Sequence, residues 1–387
     1  MDTALFEKLS QQKSDMQGWF EWLHQNPDLP EHEDATANFV AGLLESWGYD
    51  VARNVGGTGI VANLDVGAGT GAIALRSELD ALPIQEDGTC RVVSSKPGVS
   101  HMCGHDGHMT MLLGAARYLA ETKNFSGTLR LVFQPAEEQM TGAQKMIADG
   151  LFERFPVDAI FGMHNSPKHD VGKIFLKTGP LLTAVDRLKI TVAGKGAHGA
   201  FPHQGTDPIV AASSIVMALQ SIVSRNLTPQ DIGVITVGTF HAGTAENIIP
   251  PTAELGVSVR SASPKGREVL LRRIEETARM QAESFGATAQ VESIQRGAVL
   301  VNDAGLHDTV AKIVTERLGA ENVDTQGFFE MASEDFAFYG EAVPSFFAMI
   351  GNGDTQINHN PGYTFNEDAL VAGAAYWVAL AEGMLKG

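Results

Sequence analysis

A chain of 387 residues is longer than one ordinary hydrophobic core supports, so two domains are expected. Its 44% hydrophobic and 19% charged residues are a normal globular balance, while a net charge of −18 argues against nucleic acid or an anionic membrane as a partner. Neither a basic leader followed by an apolar stretch nor an apolar run of transmembrane length is read from the sequence. With Cys90 and Cys103 as its two cysteines, a disulfide framework is excluded and a reducing cytoplasm is the expected compartment.

Leu5, Leu9, Met16, Phe20 and Leu23 recur at helical spacing up to Asn26-Pro27, and a second helix is expected over 33–47. Short apolar strands follow at 59–64, 72–75, 129–133, 159–163 and 174–176, with a helix over 109–120 among them. This alternation predicts an α/β fold with a largely parallel sheet, whose strand-end loops carry ligands. Near Gly179-Pro180 the rhythm changes to strand 188–192, helix 208–223, strands 234–240 and 253–259, helix 264–285 and strand 289–294, with Ser263 and Pro264 starting the second helix. That order is βαββαβ, a ferredoxin-like arrangement. The α/β pattern then resumes with a helix over 306–318, a strand over 346–350 and a last helix from Asn366. The expected plan is a discontinuous catalytic domain, 1–182 and 296–387, interrupted by a lid or dimerisation domain, 183–295.

Chemistry concentrates in His101-Met102-Cys103-Gly104-His105-Asp106-Gly107-His108, which leads into an apolar helix that Asp106 is placed to cap. Thiolate with imidazole suits zinc, cobalt, nickel or manganese better than calcium. The predicted strand at 129–133 runs into Glu137-Glu138; adjacent carboxylates on extended backbone point opposite ways, so one can bind metal while the other acts as a base, or the pair can cap a helix. His164 directly follows a predicted strand and His359 lies on an Asn-Pro-Gly turn. Cys103 with His105 could alternatively form a nucleophile–base pair, which leaves the Glu pair, His164 and His359 without a use. Gly56-Gly57-Thr58-Gly59 lacks the Lys-Ser/Thr of a phosphate loop.

Motifs in order along nearly the whole chain resemble metallopeptidase family 20, in its aminoacylase, hippurate hydrolase and auxin–amino-acid conjugate hydrolase branch. They include 23–29, Leu75-Arg76-Ser77-Glu78-Leu79-Asp80-Ala81-Leu82-Pro83, 103–108, Gln134-Pro135-Ala136-Glu137-Glu138, 162–164, 194–198, 243–250, 333–336 and 359–363. The resemblance implies a metal-dependent amidohydrolase that cleaves N-acyl amino acids, or a dipeptidase or carboxypeptidase with the same site. It implies two divalent metal ions (manganese, zinc, cobalt or nickel) held by Cys103 as the bridge and by His105, Glu138, His164 and His359. Glu137 would be the catalytic base, with Asp80 supporting a ligand from behind. Metals of this kind lower the pKa of bound water from about 16 toward neutrality, and Glu137 would take that proton and return it to the leaving amine. His198, Asn247 and Arg260 would bind the substrate, His198 in its own or a neighbouring subunit, and the inserted domain would form a homodimer or a higher oligomer. Two departures stand out. Glu78 replaces an aspartate and is not assigned to metal; Met102 replaces a small residue before the cysteine.

Overall fold

The computed structural model describes residues 1–386, which form two compact units. One comprises Met1–Leu181, Val301–Phe329 and Asp335–Gly387, and the other Leu182–Leu300 with Glu330–Glu334.

In the first unit the strands stand in the order Asp50–Val55, Gly59–Val66, Gly127–Gln134, Ala72–Glu78, Ala159–Ser166, Ser345–Gly351, Ile174–Phe175 and Val323–Asp324. Ala72–Glu78 runs parallel to both Gly127–Gln134 and Ala159–Ser166, and Ser345–Gly351 parallel to Ala159–Ser166. The fold is therefore α/β around a mostly parallel sheet. Every residue of Ser345–Gly351 is buried, as the unbroken apolar run Phe346–Ile350 requires of a central parallel strand. The helix His105–Thr122 buries fourteen of its eighteen residues, including Met109, Met111, Leu112 and Leu113. A helix apolar on all sides belongs inside a core, and here it packs on the last helix, Leu370–Met384. Its start is thereby fixed in the interior, where the chemistry lies.

The N-terminal segment is two helices, Thr3–Gln11 and Lys13–Gln25, rather than one, and Asp50–Val55 is a strand the sequence did not announce. Its residues alternate little and are largely exposed, as an edge strand permits.

The second unit is a four-stranded antiparallel sheet ordered Gly233–Ala242, Thr252–Ser261, Ala184–Ala193 and Thr288–Gln295, with helices Pro208–Asn226 and Pro264–Ser284. Alternate residues Ala253, Leu255, Val257 and Val259 share one core with Ile215, Leu219, Ile222, Leu270 and Ile274 from the helices. Asp207 and Ser263 cap the two helices through Ile209 N and Gly266 N, each with proline at the first turn. Among the described residues, Pro208–Asn226 is the one helix long and apolar enough to cross a membrane by length and composition. Its Ala211, Ala212, Ile215, Leu219 and Ile222 are spent on the unit's own core.

Candidate metal centre

The parallel strands of the first unit end on the same side, and their ends deliver the site. Leu79-Asp80 follows Ala72–Glu78, the Glu pair follows Gly127–Gln134, and His164 lies in Ala159–Ser166. Cys103 and His105 come from the turn into the buried helix. Gly104 between them has φ +94°, and a Cβ there would stand 2.5 Å from Tyr363 Oη and 2.6 Å from Asn165 Nδ2. Glycine is thus required twice over, by backbone and by space. This also corrects one expectation. Gly104, not Asp106, occupies the cap position of the helix; Asp106 is buried, accepting from Gly107 N and pairing with His24 Nδ1 at 2.6 Å.

Three triads of donor atoms lie within 4.8 Å of one another: Cys103, His105 and His164; Cys103, Glu138 and His359; and His105, Glu137 and Glu138. Cys103, His105 and Glu138 each belong to two of them, so the three triads form one connected set of donors. Its Sγ is 3.3 Å from His164 Nε2, and Glu138 Oε2 is 3.3 Å from His359 Nε2. His105 Nδ1 bonds the Asp80 carbonyl at 2.8 Å, and His164 Nδ1 the Asn165 carbonyl at 2.7 Å. Each backbone carbonyl takes the Nδ1 proton, which leaves Nε2 as the atom facing the pocket. Asp80 supports the site twice: its Oδ2 accepts from Glu138 N at 2.9 Å, and its Oδ1 is 3.5 Å from His105 Nδ1.

His105 Nε2 and Glu138 Oε1 are buried with no hydrogen-bond partner among the described residues. Buried polar atoms are ordinarily paired, and a lone imidazole nitrogen, a carboxylate oxygen and a thiolate aimed at one space form a donor set that fits divalent metal ions. Burial and the Glu138 carboxylate push the Cys103 thiol up, but His164 and His105 outweigh them and hold it well below its ordinary range. Burial lowers His164, yet the Cys103 thiolate raises it to about 9; bonds to Cys103 and Glu138 raise His359 to about 10. Without metal, protons hold the places of the cations.

Glu78 with His105 and His108, and His24 with Glu86 and Cys90, meet the same distance limit and are otherwise explained. In Glu78, His105 and His108, Glu78 is held by Arg76 through a short ion pair, and its Oε2 is 3.0 Å from His108 Nδ1. His108 Nε2 accepts from Asn165 N at 3.0 Å, so both ring nitrogens are engaged. Burial keeps His108 near 4 and therefore neutral. The Glu78 carboxylate is thus committed to Arg76 and His108. In His24, Glu86 and Cys90, the His24 nitrogens lie 2.6 Å from Asp106 and 3.2 Å from Glu86. Burial opposes charge there, but Asp106, Cys90 and Glu86 raise His24 to about 12, making a buried cation between two anions.

Several supporting residues escaped the sequence reading. Arg76, fully buried, donates to Gln134 and Asp335 besides Glu78. Asn165 Nδ2 donates to the Cys103 carbonyl at 2.6 Å while its Oδ1 accepts from Tyr363. Asn358 Nδ2 donates to Cys103 O and lies 3.4 Å from its Sγ. Arg76 lies within the motif 75–83, and Asn165 and Asn358 adjoin His164 and His359, which is the one signal available. Met102 is fully buried in the core, and its carbonyl accepts from His359 N.

His198, Asn247 and Arg260 lie in the second unit. His198 is exposed on a two-residue strand paired with Ile248–Ile249, and Gly199 N donates to Asn247 O at 2.8 Å, so these two loops travel together. Arg260 stands near the far end of Thr252–Ser261, eight residues from its start or about 26 Å of strand. Its Nη1 donates to Met331 O and Ser333 Oγ. Within one chain Asn247 and Arg260 do not converge.

A mostly parallel sheet presenting a thiolate, imidazoles and carboxylates at its strand ends is the arrangement a metal-dependent hydrolase needs. Comparison with known proteins agrees. The model of "Peptidase family M20/M25/M40" matches residues 74–383. A hippurate hydrolase of Campylobacter jejuni is 40% identical over 96% of this chain and 98% of its own, and an N-acetyl-L-cysteine deacetylase of Bacillus subtilis is 37% identical over 94% and 86%. The crystal structure of Bacillus subtilis YXEP, described as a dinuclear metal binding peptidase, superposes with a TM-score of 0.83 at 31% identity, covering 99% of both chains. The chain belongs to peptidase family M20/M25/M40.

Proposed function

We propose that this enzyme hydrolyses N-acyl amino acids to a carboxylate and a free amino acid. The observation that carries the reading is the pocket where the orphaned His105 Nε2 and Glu138 Oε1 face the Cys103 thiolate with Glu137 alongside. The relatives named for hippurate and for N-acetylcysteine both act on an acyl group joined to an amino acid.

Cys103, His105, Glu138, His164 and His359 would hold two divalent ions, with Cys103 shared. When bound, such ions polarise the amide carbonyl and acidify water. Glu137, 6% exposed and with Oε2 4.0 Å from His105 Nε2, takes the proton from the attacking water and delivers it to the departing amine nitrogen. Asp80 holds His105 and the Glu138 amide in register. His198 and Asn247, on their paired loops, bind substrate polar groups, and Arg260 offers a bidentate fork to the free carboxylate. Because Asn247 and Arg260 stand apart within a chain, their cooperation requires a second subunit, which supports a homodimer built through the inserted unit. Manganese, zinc, cobalt and nickel all suit the donors. Two free thiols suit a reducing compartment, the cytoplasm.

The test is hydrolysis of N-acetyl, N-benzoyl and indoleacetyl amino acids beside dipeptides, using metal-free protein, protein reloaded with each ion, and Glu137→Gln. Turnover of an acylated class should require metal and fall roughly 10²–10⁴-fold in the variant. Preference for dipeptides selects the peptidase reading, and turnover in the absence of metal removes the metal assignment.

A further inference from the structure

The turn Gly56-Gly57-Thr58-Gly59 is no phosphate loop, and the fold gives it another use. Glu33, fully buried, lies between this turn and the segment that carries the Glu pair. Its Oε1 accepts from Ala136 N at 2.9 Å and from Glu31 N at 2.9 Å, and its Oε2 accepts from Thr58 Oγ1 at 2.6 Å. Gly59 packs so closely that a Cβ would stand 2.3 Å from Val55 O and 3.0 Å from Pro135 Cδ. The turn is thus pressed against Pro135 and braces Glu33 against Ala136.

We propose that Glu33 is a positioning residue, braced by Thr58, that fixes the backbone at Ala136 and thereby the carboxylate of Glu137.

Ala136 has φ +49° and is fully buried. Alanine holds that left-handed conformation only where its surroundings impose it. The surroundings here are specific. Glu33 takes the Ala136 amide, while Thr141 N and Gly142 N donate to the Ala136 carbonyl. On the other side of Glu137, Asp80 Oδ2 takes the Glu138 amide. The proposed base therefore sits between two amides, each pinned by a carboxylate from a different part of the chain. With the Glu33 anchor gone, the Ala136 peptide can relax toward ordinary backbone, which swings the Glu137 Cα–Cβ bond while Asp80 still holds Glu138. Burial pushes the Glu33 carboxyl above its ordinary range, against Thr58 and Ala136. A neutral side chain of the same shape keeps the geometry of these contacts. Glutamine can accept from Ala136 N with its oxygen and donate to Thr58 Oγ1 with its nitrogen.

This inference rests on Glu137 being the acid–base residue, and the two are tested separately. In metal-reconstituted enzyme, Glu33→Ala should lower kcat about 10- to 100-fold, the scale of a misplacement near 1 Å. KM and metal content should stay within about twofold, Glu33→Gln should recover most of kcat, and Thr58→Val should fall between. Amide hydrogen exchange at Ala136, measured without substrate, should accelerate at least tenfold in Glu33→Ala and not in Glu33→Gln. Unchanged exchange at Ala136 overturns the anchor. A loss confined to KM or metal content, or a Glu33→Gln as impaired as Glu33→Ala, overturns positioning. Should Glu33→Ala fail to fold, Thr58→Val carries the same measurements. Full activity in Glu137→Gln would instead remove the function assigned to Glu137, a result visible without any change at Glu33.

Discussion

Two buried polar clusters lie side by side at the strand ends, and they are satisfied in opposite ways. In the first, Asp335, Arg76, Glu78, His108 and Asn165 form a continuous chain of ion pairs and hydrogen bonds. In the second, Cys103, His105, Glu138 and His164 leave His105 Nε2 and Glu138 Oε1 unanswered. The first is fully buried, and in the second Cys103 and His105 are buried while Glu138 and His164 are half-buried, so burial alone separates scaffold from site poorly; the unfilled atoms do it better. A paired cluster is worth its place to the fold, whereas an unpaired one is a stability liability that only a ligand redeems.

The sharpest way to break this comparison is Arg76→Met, which strands Glu78 and Asp335 as buried uncompensated charges. Urea denaturation of metal-free protein should show a loss of about 3–5 kcal/mol or no folded protein. A loss below about 1 kcal/mol would mean that the first cluster is no scaffold. Glu78→Asp shortens the contact to His108 by one methylene and should cost about 1–3 kcal/mol through the stranded imidazole N–H, with metal content preserved. The mirror experiment is Glu138→Gln. Metal-free stability should fall by no more than about 1 kcal/mol, since the ion pair lost with His359 is half-exposed and screened by solvent, while metal affinity measured by chelator competition falls at least tenfold.

Protons sharpen the contrast further. His164 and His359 are raised from about 6.5 to about 9 and about 10 in the metal-free protein. A raised histidine contributes stability that is complete below the unfolded value near 6.5 and is lost as pH climbs through the folded value. Metal-free protein should therefore lose stability from pH 6.5 toward 10. Metal affinity should rise over that window, with proton release on binding detectable by calorimetry in buffers of different ionisation enthalpy. Affinity independent of pH would mean that these imidazoles are not displaced from their protons.

Much of this site was legible because its donors sit where patterns change. His164 falls at the end of an apolar strand, the Glu pair follows another, and Cys103 and His105 precede an apolar helix. What escaped has a common cause. Glu33 is 103 residues from Ala136 in sequence and meets it only through packing, so neither local period nor spacing announces the bond. The left-handed backbone of Ala136 is likewise imposed by neighbours, since alanine does not favour that region. Asp106 looked like a helix cap because its residue type fits, yet Gly104 already fills that position and His24 claims the carboxylate. The inserted unit was easier to read, as alternating strands and proline-started helices repeat their signal over many residues.

His359 differs from the other candidate ligands in one respect. Its side chain is 53% exposed, on a turn with φ +67°, tied by one backbone bond to Met102. The remaining donors are set in the interior like a rigid socket, and this one is a latch mounted on its rim. If His359 holds an ion with the others, its turn would be the part of the site that solvent, an ion or a chelator reaches first. Loading and loss then share one doorway, so the tempo of metal exchange would be set by the stiffness of a surface turn and not by the strength of the socket.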